Sequence, residues 1–131
     1  MTADDLARIR QIAFGLPGVS ERLSHGAPCF FVRNKRPLCY FHDEAFSADG
    51  RSSLWCPARL GVAERLVAAA PGRFFRPQPS ANGVFSTWVG VYLDGPADAA
   101  PQWAEIAELI ESAYRMVAPK LLVAALDPGP E

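Results

Sequence analysis

Apolar residues recur at helical spacing over residues 2–15, where Leu6, Ile9, Ala13 and Leu16 share one face. Thr2 is a candidate N-cap, and Asp5 places a carboxylate near the positive end of that helix. Leu16-Pro17-Gly18 ends it, because proline lacks a backbone donor and restricts the residue before it. From Arg22 to Pro57 the period changes to two. Cys29 to Arg33 and Arg36 to His42 read as strands around Asn34-Lys35, a tight turn in which asparagine accepts positive φ. A two-residue loop there pairs Phe30 with Cys39, Val32 with Pro37 and Phe31 with Leu38. It also points Cys29 and Cys39 to opposite faces, so no bridge joins them. A further strand is expected over Ser52 to Cys56.

A second helix fits Arg59 to Ala70, with Leu60, Leu66, Val67 and Ala70 as a partial stripe closed by Pro71-Gly72. Arg73 to Arg76 reads as a short strand and Pro77 to Gly83 as a loop. Phe85 to Leu93 alternates most cleanly. Phe85, Thr87, Val89, Val91 and Leu93 fall on one side, with Trp88, Gly90 and Tyr92 on the other. A third helix is expected from Pro101 to Val117, with Trp103, Ile106, Ile110, Ala113 and Val117 as its apolar stripe. Pro119 separates a short helix, Lys120 to Leu126, and the tail after it is expected to fray. This order predicts an α+β fold, an antiparallel sheet backed by helices.

Composition narrows the picture. The chain has 131 residues, 50% of them hydrophobic and 21% charged, which suits one folded core and excludes a disordered chain. Ten glycines and twelve prolines keep long uninterrupted helices from dominating. The net charge of −1 argues against a strongly nucleic-acid-seeking protein. Its distribution says more. Residues 22–93 carry nine basic groups against four acids and sum to +5, while residues 94–131 sum to −5. No acid occurs from Arg22 to His42 or from Arg65 to Leu93, a pattern that hints at a side facing a polyanion.

Cys29, Cys39 and Cys56 are odd in number and lack CxxC spacing, so neither a zinc site nor a disulfide framework is expected, and no cofactor is implied. The first twenty residues contain Asp4 and Asp5 and no basic segment leading into an apolar run. The longest apolar runs, such as Leu121 to Leu126, fall far short of the ~20 residues that span a bilayer. A cytoplasmic protein without a membrane partner is the expectation, as a monomer or weak homodimer.

Leu16-Pro17-Gly18-Val19, then Ser24-His25-Gly26 with Pro28, Phe30, Val32 and Lys35, resemble the YjbR/MmcQ-like family of small bacterial proteins. The resemblance continues through Trp88-Val89, Leu93-Asp94, Trp103 to Leu109, and Ser112 with Tyr114. It runs from about Asp5 to Pro119 and implies a fold similar to CyaY and frataxin: a twisted antiparallel sheet with helices packed on one face. The expected organisation is one such domain over residues 1–126 and a flexible tail over 127–131. The resemblance also implies DNA binding through a double wing, two hairpins projecting from the sheet. Asn34 departs from the glycine common at that turn, though asparagine can adopt the same backbone. Frataxin's acidic iron-binding helix is not matched, since the first helix offers only Asp4 and Asp5, and an iron role is not carried over.

The leading reading is therefore a non-enzymatic DNA-binding domain. One wing is Arg33, Asn34, Lys35 and Arg36; the other runs from Arg73 and Arg76 through the following loop. Five phosphate contacts would give a salt slope near −4 to −5. The rival is a small-molecule or protein-binding module using an aromatic outer face of Phe31, Leu38, Tyr40, Trp55, Trp88 and Tyr92. His25 is read as tying a turn to nearby backbone, and His42, Asp43, Glu44 and Asp49 as a solvated loop matching no calcium-binding spacing. No nucleophile–base pair, metal triad or phosphate loop points to an enzyme.

Overall fold

The computed structural model describes residues 2–24, 26–42, 50–77, 87–93 and 103–126, with the side chains of residues 2–4 left aside. The chain runs α1 (Thr2–Phe14), β1 (Val19–Ser24), β2 (Ala27–Val32), β3 (Arg36–His42), β4 (Ser53–Pro57), α2 (Val62–Ala69), β5 (Phe74–Phe75), β6 (Trp88–Tyr92), α3 (Trp103–Val117) and α4 (Lys120–Leu126). The strands form one antiparallel sheet in the order β1-β2-β3-β4-β6-β5. This is the α+β architecture expected. His25, Asp43, Glu44, Asp49, Phe85, Pro101, the loop from residue 78 onward and the tail 127–131 lie outside the described residues.

One face of the sheet carries the core. Phe30, Val32, Cys39, Phe41, Leu54, Cys56, Val89 and Val91 alternate onto that face, where Ile9 of α1, Ala63 of α2, and Ile106, Ile110 and Ala113 of α3 meet them. Tyr114 was absent from the predicted stripe yet is fully buried, and its hydroxyl donates to the Pro17 carbonyl at 2.5 Å. That bond ties α3 to the turn after α1, where Gly18 takes a φ of 77° that a β-carbon would oppose. Leu60, placed in the α2 stripe from sequence, is 85% exposed, because the helix begins only at Val62, after Gly61 turns the chain at φ 87°. The expected strand to Leu93 is likewise shorter, with Thr87 in a turn.

The β2–β3 register corrects the sequence reading. Phe30 pairs with Cys39 as expected, but Phe31 pairs with Pro37 and Val32 with Arg36, with a bulge beside Phe30 and Phe31. Pro37 has no N–H to give to the ladder, so the extra residue is accommodated next to it. The slip turns Leu38, expected on the outer face, into the core, where it is fully buried beside Cys39. Its hairpin turn is also displaced by one residue. Arg33 (φ 51°) and Asn34 (φ 58°) take the left-handed positions, and the Lys35 N–H closes the turn on the Val32 carbonyl at 3.1 Å.

All three cysteines are free and buried. Burial pushes the Cys29 and Cys56 thiols up to about 12 and Cys39 well above its ordinary 9.0. Because the folded thiols hold their protons where the unfolded ones lose them, stability is full below pH 9 and falls as pH rises from 9 towards 12. Urea unfolding at pH 10 should give a free energy lower than at pH 8 by about 1.4 kcal/mol for each thiol. An unchanged or higher value would contradict the burial.

Candidate functional site

Strand alternation separates acid from base on β1. Glu21 turns to the helix side, where the Arg10 guanidinium donates to both its carboxylate oxygens at 2.8 Å. Its neighbour Arg22 lies on the outer side, with its guanidinium 3.7 Å from the centre of the Phe31 ring. From there Arg22 donates to the Asn34 carbonyl at 3.2 Å and to the Asn34 side-chain oxygen. The two left-handed residues of the turn are thereby braced from β1. Arg22 was counted among the basic groups of the sequence but not as a site residue. No local signal could assign it, because its partner lies twelve residues away across a strand pair.

At the tip, Arg33, Lys35 and Arg36 are exposed. Among the described residues no carboxylate lies within ion-pair distance of them; Glu21, Glu64, Glu105 and Glu111 instead meet Arg10, Arg76, Arg73 and Arg115. Arg33 and Asn34 sit at the apex and Lys35 and Arg36 on the return, so the predicted first wing is assembled as one cluster.

The second wing is not. Arg73 is bound to Glu105 at the start of α3, and Arg76 meets Glu64 of α2 at 3.0 Å. Their sequence neighbourhood holds no acid, but α2, packed on β5, supplies Glu64, and α3, packed on β3 and β4, supplies Glu105. Register places them apart from the first wing as well. Tyr40, Trp55, Gly90 and Phe75 lie at one level across β3, β4, β6 and β5. Three strand spacings, about 14 Å, therefore separate β3 from β5, and Arg36 lies a further 10–20 Å or so along the strands from Arg76 and Arg73. The two basic groups do not share a ledge.

On the outer face Tyr40, Trp55, Trp88 and Tyr92 belong to one connected band, while Phe31 lies apart from it under Arg22. Tyr40 meets Trp88 edge-on at 5.8 Å and His42 at 6.1 Å; His42 stacks on Trp55 at 4.3 Å. Trp55 meets Phe75 at 6.3 Å, and Phe75 lies against Tyr92 at 4.6 Å, with Arg51 over the Tyr92 ring at 3.5 Å. Phe31 and Trp88 are buried, while Tyr40, Trp55 and Tyr92 are partly so. Burial raises the Tyr40 phenol above its ordinary value, and the Ser24 hydroxyl lies 3.1 Å from it. Phe75 and His42 complete the band and were missed, the first because a two-residue strand gives no periodicity to read.

A six-stranded antiparallel sheet with helices on one face and a braced basic hairpin at one end defines a small α+β domain. Residues 14–116 match the family described as YjbR, and the chain belongs to it. The fold is also that of a Deinococcus radiodurans protein, DR2400, with a DUF419 domain. The two are 21% identical, with a TM-score of 0.64 over 94% of this chain and 83% of that one. No curated protein matches the sequence.

Proposed function

We propose that this protein is a non-enzymatic nucleic-acid-binding domain that holds the phosphate backbone through one basic hairpin. The observation that carries this reading is the cluster of Arg33, Lys35 and Arg36, exposed on a turn held by Arg22 with no carboxylate among the described residues to neutralise it. Cations so placed attract phosphate without reading base sequence. The aromatic band favours the rival reading less, because its rings are packed on one another and Phe31 and Trp88 are already buried. Buried thiols that hold their protons to about pH 12 make poor nucleophiles, so Cys29 and Cys56 are not read as reactive groups.

Without Arg73 and Arg76 the number of phosphate contacts falls from five to three. The logarithm of affinity for a labelled 20-base-pair duplex should then fall with the logarithm of salt at a slope of about −3, from weak binding on the order of 10⁻⁴ M at physiological salt. Fluorescence anisotropy from 20 to 200 mM salt measures it. A flat salt response removes the proposal, and a slope near −5 that Arg73→Ala/Arg76→Ala reduces would restore the second wing.

A further inference from the structure

Beside the basic hairpin a cleft of about 210 Å³ opens between the turn and the junction of α3 with α4. Its lining is of two chemical kinds. Arg33, Lys35 and Arg36 from the hairpin are cationic; Val32 of the hairpin and Val117, Ala118 and Pro119 of the α3–α4 junction are apolar. Val32 and Val117 are 2% and 8% exposed, so they belong to the packed core and fix the inner part of the apolar lining, while Pro119 forms its exposed rim. Pro119 ends α3, and the N–H groups of Leu122 and Val123 return to its carbonyl at 3.0 and 3.1 Å, holding the far rim.

A bare phosphate would use only the cationic side, and a neutral ring only the apolar one. Size sets a further limit. Pockets for drug-sized ligands run from about 300 Å³ upward, and this one holds roughly seven water volumes, a fit for a single ring with its phosphate. Three cations favour a doubly charged group over a carboxylate. We infer that this cleft binds a small phosphate monoester carried on a single apolar ring, and that such a ligand competes with the nucleic-acid backbone for Arg33, Lys35 and Arg36. The competition rests on the function proposed above; the small-molecule site does not.

Phenyl phosphate is the probe, added to the full chain and followed by amide chemical shifts. Shifts should centre on Val32, Val117 and Ala118, with affinity at least about tenfold above inorganic phosphate and no response to phenol. Equal binding of phenyl and inorganic phosphate, or shifts centred elsewhere, would overturn the inference. Ala118→Leu fills the apolar side and leaves every cation, so it should weaken phenyl phosphate at least tenfold while duplex binding persists. Arg36→Ala, at an exposed position that cannot disturb the core, should weaken both. Retention of phenyl phosphate binding by either variant rejects the site. Phenyl phosphate should also displace the labelled duplex over the concentrations that fill the cleft. A protein that binds phenyl phosphate there but no duplex keeps the site and loses the proposed function; one that binds duplex but not phenyl phosphate does the reverse.

Discussion

Gly90→Ala is expected to lower the free energy of unfolding by about 2–4 kcal/mol, a Tm drop on the order of 10 °C. Gly90 lies on β6 opposite Phe75 of β5, and a β-carbon at position 90 would fall 2.2–2.5 Å from three atoms of the Phe75 ring, so that even a methyl group would overlap it. The ring is partly buried and hemmed in by two aromatic neighbours. Tyr92 lies 4.6 Å from it on one side and Trp55 6.3 Å on another, while the adjacent Phe74 is buried in the core and holds the short strand down. A larger residue at position 90 must either expel Phe75 or part β5 from β6. Combining Gly90→Ala with Phe75→Ala should cost less than the two changes summed, because the first already forfeits what the second removes. Urea denaturation of the four proteins measures this. Simple additivity would mean that the ring does not constrain Gly90.

Arg33→Ala/Lys35→Ala/Arg36→Ala is expected to reduce duplex affinity at 50 mM salt by about two to three orders of magnitude and to flatten the salt slope towards zero. Stability should change little, since the three side chains are exposed and engage no carboxylate among the described residues. Arg33 needs a separate control because its φ of 51° is costly for any residue with a β-carbon. Arg33→Gly removes the charge while easing the backbone, so it should weaken binding and stabilise the turn together. Arg73→Ala/Arg76→Ala should leave affinity unchanged, because those guanidinium groups already face Glu105 and Glu64. If the triple variant binds as tightly as the parent, the hairpin is not the contact surface.

Much of the architecture could be read from local pattern. Ile9 and Ala13 mark the buried side of α1, Ile106, Ile110 and Ala113 that of α3, and Val89 and Val91 the core side of β6; all were placed by spacing alone. Pro17 and Pro119 marked the ends of α1 and α3 because a missing N–H acts on its own neighbourhood. Reading failed where one residue's place depended on another strand. The bulge near Pro37 moved Leu38 to the opposite face, and the turn shifted from Asn34-Lys35 to Arg33-Asn34. The basic cluster on the β2–β3 hairpin was legible because its charges are nearly consecutive in the chain. Arg22, its brace, was not.

The sequence by itself determined the helical and strand periodicity, the acid-free stretches and the thiols' apolar setting, since each depends on residues a few positions apart. Tertiary structure alone decided which positive charges stay available. Glu64 and Glu105 reach Arg76 and Arg73 only because α2 and α3 pack on the same sheet, and Tyr114 reaches Pro17 across 97 residues. Charge along a chain adds by position, whereas neutralisation falls off with distance in space; only the fold converts the one into the other.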